Sequence, residues 1–132
     1  MYENIKEMKV DLVISGGISE EKIIYFSKEL EIEFGIEYTS FLKEFGTLSI
    51  EYLEFLGICG ENNSIPSSIY STKKARKEIK NFRNDLIVIY EIGDGTFYAI
   101  DKEDRVFFCD YNNSELQEKS FKEFILSKIE KL

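Results

Sequence analysis

Apolar positions along this 132-residue chain recur at two different spacings, and the places where the spacing changes divide it into elements. Ile23, Phe26 and Leu30 stand at i, i+3 and i+7, one stripe of a helix. Ser19 supplies its N-cap and Glu20 and Glu21 its first turn, where acidic side chains suit the helix dipole. This helix is predicted to run to about Glu33, with Gly35 as its stop. Upstream, Tyr2 to Ile14 is weakly patterned; Ile5 and Met8, three apart, predict that it begins as a helix, and Gly16-Gly17 breaks it. Tyr38, Phe41, Leu42 and Phe45 restart the helical spacing over Glu37–Glu44, and Gly46 is placed as the C-terminal glycine.

Past Gly46 the period changes. Leu48 to Ile58 interleaves Ser49, Glu51 and Glu54 with apolar residues, which predicts one or two strands with an irregularity near Tyr52-Leu53. Cys59 to Ser68 is rich in Gly, Asn and Ser, carries Pro66, and is predicted to be an exposed loop. Tyr70 to Phe82 reads as a basic helix. Leu86 to Ile92 is almost wholly apolar and reads as a strand buried on both faces. Thr96–Asp101 and Arg105–Tyr111, separated by Lys102-Glu103-Asp104, complete a three-stranded antiparallel meander. Ser120 with Glu123 forms a capping box that opens a last helix bearing Phe121, Phe124, Ile125, Ile129 and Leu132 on one face. The order of helices, strands, helix, strands and helix predicts an α+β fold, mainly antiparallel sheet with helices packed against it. No repeat or linker divides the chain, so residues 1–132 are expected to form one domain.

Charge narrows the partners. The formal net charge is −8, which disfavours nucleic acid and acidic membranes and favours a basic partner. Glu20 to Glu61 holds ten acidic residues against Lys22, Lys28 and Lys43, whereas Lys73 to Arg83 holds six basic ones against Glu78 and is read as a solvated helical face. No secretory signal is visible at the start, and a cytoplasmic location is the expectation. Cys59 and Cys109 are isolated and there is no histidine, so a usual zinc set cannot form and the thiols are expected to be reduced. The Asn62-Asn63-Ser64 and Asn112-Asn113-Ser114 triplets are then polar loops.

Gly93-Asp94-Gly95 is the stretch with the strongest look of a site. A phosphate loop needs a helix after it, and here Thr96-Phe97-Tyr98-Ala99-Ile100 is a strand. A calcium loop started at Asp94 meets Ala99 at the sixth place, and one started at Asp101 meets Val106, where glycine is needed. Asp-Gly between apolar runs predicts a two-residue hairpin instead, with Ile92 facing Phe97, Tyr90 facing Ala99, Ile89 facing Ile100 and Glu91 opposite Tyr98. Without histidine no Ser-His or Cys-His pair can form, and Phe97, Phe107 and Phe108 are assigned to the core rather than to base stacking.

The segments "YTSFLKEFGTL" (Tyr38–Leu48), "IEYLEFLGI" (Ile50–Ile58), "LIVIYEIGDGTFYAID" (Leu86–Asp101) and "SFKEFI" (Ser120–Ile125), in this order and spacing, resemble the SUKH superfamily, most strongly over residues 18–129. Two prolines usual to that family, near Gly35-Ile36 and near Asn84-Asp85, are missing. The motif positions are Gly46, Gly57, Gly93, Asp94, Gly95, Tyr98, Asp101, Phe121 and Phe124, structural in role. The resemblance implies a non-enzymatic α+β domain without cofactor or small-molecule substrate. It further implies a bacterial immunity protein that binds and neutralises a cognate toxin, often a nuclease, or else a regulatory module that binds a self protein. The acids expected to meet the partner are Glu51, Glu54 and Glu61, with Asp110, Asn112 and Asn113 as secondary candidates. A deep polar pocket with convergent carboxylates would instead favour a small hydrolase or ligand-binding domain.

Overall fold

Two antiparallel sheets and four α-helices form among the described residues, an α+β architecture. A computed structural model describes residues 2, 4–8, 10–59 and 67–132 of the chain. In chain order the elements are β1 (Leu12–Ile14), α1 (Glu20–Leu30), α2 (Ile36–Glu44), β2 (Leu48–Ile50), β3 (Leu53–Phe55), α3 (Ser68–Glu78), β4 (Ile87–Gly93), β5 (Thr96–Ile100), β6 (Arg105–Cys109), β7 (Ser114–Ser120) and α4 (Phe121–Glu130). One sheet runs β1-β2-β3 and the other β4-β5-β6-β7. The Leu56 N–H donates to the Ile89 carbonyl at 2.8 Å, so the loop after β3 is tied to β4 and the two sheets meet at neighbouring edges.

Strand alternation then sorts side chains between two cores. Leu48, Ile50, Leu53 and Phe55 of the small sheet join α1, α2, α4 and the Ile87, Ile89, Ile100 and Val106 side of the large sheet in the main core. Val88, Phe97, Ala99, Phe107 and Cys109 point the other way, against Ala75 of α3 and the following Ile79 and Phe82. The large sheet is therefore covered on both faces near β5, which accounts for the unbroken apolar run at the start of β4. In the main core, Phe121 sits edge-on to Tyr38 and Phe41 at centroid distances of 5.0 and 5.2 Å. Such edge-to-face pairs suit the ring quadrupoles.

Several expectations are corrected. Among the described residues of the N-terminal segment only Ile5–Glu7 is helical, as one 3₁₀ turn, and Leu12–Ile14 is a strand paired with β2. A strand made by pairing with residues far along the chain leaves no local period. The first helix ends at Leu30 with Glu31 in the left-handed region, so Gly35 does not stop it and serves as the N-cap of α2. The basic helix ends at Glu78, and Ile79 turns extended to drop its side chain into the second core. β7 was not expected, since Ser114–Ser120 has one apolar residue, Leu116; it forms because it meets the backbone groups of β6 across the short Asp110–Asn113 turn.

The hairpin is present, yet its register differs. Gly93 pairs with Thr96 around Asp94-Gly95, but Glu91 pairs with Phe97, Tyr90 with Tyr98, Val88 with Ala99 and Ile87 with Ile100. Ile92 and Ile89 are each an extra residue on β4, two bulges that shift the partner by one apiece. The inner bulge keeps Ile89 and Tyr90 both with the main core and leaves the Ile89 carbonyl for Leu56.

Candidate protein-binding surface

The residues expected to meet a partner fall into two groups. Glu51 lies in the β2–β3 turn with φ 53°, and its carboxylate accepts from the Asp11 N–H at 3.3 Å while its own N–H donates to the Asp11 carbonyl at 2.9 Å. Glu54 projects from the outer face of β3 opposite Ser49, exposed, and makes no hydrogen bond or ion pair among the described residues. Exposed Tyr52 lies between them in sequence. Glu61 lies outside the described residues.

Asp110, Asn112 and Asn113 form the β6–β7 turn. The Asp110 carboxylate accepts from the Asn112 and Asn113 N–H groups at 2.8 and 2.7 Å, which hold it below the usual aspartate range and commit it to shaping the turn. No hydrogen bond or ion pair among the described residues links this turn to Glu51 or Glu54. What the fold does bring to it is the Gly93-Asp94-Gly95 hairpin, because Tyr111 lies against Gly95 so closely that a Cβ there would overlap the ring.

Beside that hairpin lies a cleft of about 250 Å³, closed on its far side by α3. The Val88 N–H donates to the Thr72 hydroxyl at 2.9 Å, and this buried bond fixes α3 over β4. Ser71, Glu78, Glu91 and Tyr111 line the cleft and were not among the expected site residues. Nothing local marks them: Ser71 and Glu78 belong to a helix whose sequence reads as basic, and Glu91 faces the cleft only because of the β4 bulges. Half of the six basic residues of Lys73–Arg83 are taken up by partners in the molecule. Lys73 pairs with Glu29 at 2.9 Å, Arg83 pairs with Asp85 at 2.6 Å, and Arg76 donates to the Leu30 and Asn84 carbonyls at 2.7 and 2.9 Å. Lys74, Lys77 and Lys80 make no ion pair among the described residues.

The remaining motif positions are structural supports. Gly46 has φ 73° and a Cβ on it would strike the Gly16 carbonyl, while a Cβ on Gly57 would strike the Gly46 carbonyl. Tyr98 packs on Phe124 at 4.7 Å between centroids, and Phe121 and Phe124 are buried. Buried Asp101 accepts from the Glu103 and Arg105 N–H groups and from Arg105 Nε at 2.9, 3.0 and 2.7 Å, closing the β5–β6 turn. Among the described residues no helix is long and apolar enough to cross a membrane.

Two antiparallel sheets tied edge to edge and packed with four α-helices define an α+β fold among the described residues. Residues 1–130 match the SUKH_5 family model, described as SMI1-KNR4 cell-wall, and the chain belongs to that family, within the SUKH superfamily. This superfamily is known as immunity-protein-like. Comparison with curated proteins gives no match. Among solved structures, the crystal structure of a protein from Pseudomonas syringae pv. tomato is similar at a TM-score of 0.63 and 16% identity, covering 80% of this chain and 75% of that one. That likeness concerns the fold.

Proposed function

We propose that this chain is an immunity protein: a single cytoplasmic domain that binds a cognate polymorphic toxin and blocks it stoichiometrically, without catalysis. Membership of an immunity-protein-like superfamily carries the reading. The formal net charge of −8 supports a nuclease as the toxin, since a nuclease cleft is basic. Complementary charge raises the association rate and suppresses wrong partners. Glu51 and Glu54 at the β2–β3 hairpin, Glu61 further along the sequence, and Asp110, Asn112 and Asn113 are the acids and amides offered to it.

The test is to purify the chain with the toxin domain encoded by the adjacent gene and titrate one against the other. A 1:1 complex that abolishes toxin activity supports the reading; no complex with any adjacent-gene product overturns it. The words cell-wall in the family description favour a second reading, a regulatory or scaffold module that binds a self protein. Capture of the same chromosomally encoded partner from cells that carry no toxin gene would decide for it.

A further inference from the structure

Three properties of the cleft between α3 and the β4–β5 hairpin select one kind of guest. Its floor is hydrocarbon, with Ala75, Ile79, Val88 and Phe97 buried and lining it. Its rim carries Glu78, Glu91 and Asp94, exposed and free of hydrogen bonds and ion pairs among the described residues, with Lys74 the cation that also lines it. Ser71 of α3 also lines the cleft, and its hydroxyl is solvent-accessible and makes no hydrogen bond among the described residues. It is a polar group open to a guest's donor.

A long cationic side chain meets all three conditions. Its methylene stem can lie on the apolar floor while its charged end stays at the rim. Arginine suits the site better than lysine, because its flat fork can donate to two carboxylates and a hydroxyl together and is the more weakly hydrated cation. The exposed Tyr111 ring also lines the cleft, and an aromatic ring attracts a guanidinium placed over its face. The volume, about 250 Å³, lies under the roughly 300–1,000 Å³ of small-molecule sites and accommodates one side chain. Arginines in such slots commonly anchor protein interfaces.

We propose that this cleft is an arginine-receiving pocket that anchors a basic protein partner on the chain. The inference rests on the reading that the protein works by binding another protein, and it adds the site and the residue recognised.

The test uses the full chain, ¹⁵N-labelled, titrated with the peptide acetyl-Gly-Arg-Gly-amide and with its lysine and citrulline counterparts. Amide shifts are expected at Ser71, Gly93 to Phe97 and Tyr111, weaker with lysine and absent with citrulline. E78Q/E91Q removes two unpaired exposed carboxylates, so the fold is retained, and it should weaken the arginine peptide about fivefold or more. E51Q/E54Q should leave that affinity unchanged. Shifts scattered over the acidic surface, equal binding of the citrulline peptide, or indifference to E78Q/E91Q would overturn the pocket. No toxin is needed, so the two ideas fail separately: arginine binding at the cleft with no toxin inhibition sinks the immunity reading alone. Toxin inhibition with no arginine binding at the cleft sinks the pocket alone.

Discussion

Asp104 shows how much one side chain can hold together without announcing itself in the sequence. It is buried, in the left-handed region at φ 62°, and its carboxylate accepts from the Glu37 and Tyr38 N–H groups at 2.9 and 3.1 Å. These are donors that an N-cap side chain would satisfy, and Gly35 at the N-cap has none; a Cβ there would overlap the Asp104 carboxylate. The Asp104 carbonyl accepts from the Phe121 N–H at 2.8 Å, and Glu37 accepts from the Lys122 N–H at 2.8 Å, so the starts of α2 and α4 are capped through one another. Asp104→Ala is expected to cost about 1–3 kcal/mol, read as a fall in the urea midpoint at constant slope. Burial holds this carboxyl above its ordinary value, against the pull of the two amide bonds, with the Glu37 and Asp101 charges adding to the rise. The native state therefore binds the proton more tightly than the unfolded chain. This group's contribution is fully present below the unfolded value of about 3.9 and is lost as pH rises through the higher folded value. Urea midpoints of wild type and Asp104→Asn across that window should show the wild type gaining on the variant as pH falls; parallel curves would refute the assignment.

At the scale of elements, the β4–β5 hairpin separates what is local from what is not. Asp94 and Gly95 take φ values of 54° and 78°, as a two-residue turn of this kind requires, and both could be assigned from the Asp-Gly pair alone. Gly95 also gives room to Tyr111 on the neighbouring turn. Gly95→Ala should therefore cost about 1–2 kcal/mol, the sum of a backbone and a steric part. Tyr111→Ala in the same chain should recover only the steric part, so thermal melts of the two single variants and the double variant should be non-additive. Full additivity would show that the ring does not press on the turn. The bulges at Ile89 and Ile92 were not legible, since a bulge is decided by partners: here by Tyr90 reaching Phe124, at 5.7 Å between centroids, and by Leu56 needing a carbonyl. β7 was hidden for a related reason. Its register against β6 jumps between the Arg105–Ser120 and Phe107–Leu116 pairs, leaving Gln117, Glu118 and Lys119 across from Val106. This irregular, charged strand blunts the outer edge of the sheet against further pairing.

For the whole molecule, the rings of α2 and α4 bind the helical layer to both sheets, and removing one should be felt everywhere. Phe121→Ala vacates a site with no exposed surface and is expected to cost about 3–5 kcal/mol, a large share of the roughly 5–15 kcal/mol typical of a domain. Denaturant unfolding followed by circular dichroism would check it. Charge acts at this scale too. The −8 balance was legible at once, but which charges stay unpaired was not, because Lys73 and Arg76 found partners on α1 and Arg83 paired with Asp85. By itself the sequence determined the α+β class, all four helices to within a turn at most ends, the N-caps Ser19 and Ser120, the Asp94-Gly95 reversal, and the family. Each depends on residues within a few positions of one another or on the order of short motifs. Tertiary structure alone decided β1 and β7, the two bulges, the cap that Asp104 lends to α2, and the meeting of Ser71, Glu78, Glu91 and Tyr111 at one cleft. Each of these depends on hydrogen bonds and packing between segments tens of residues apart, and local periodicity carries no record of such partners.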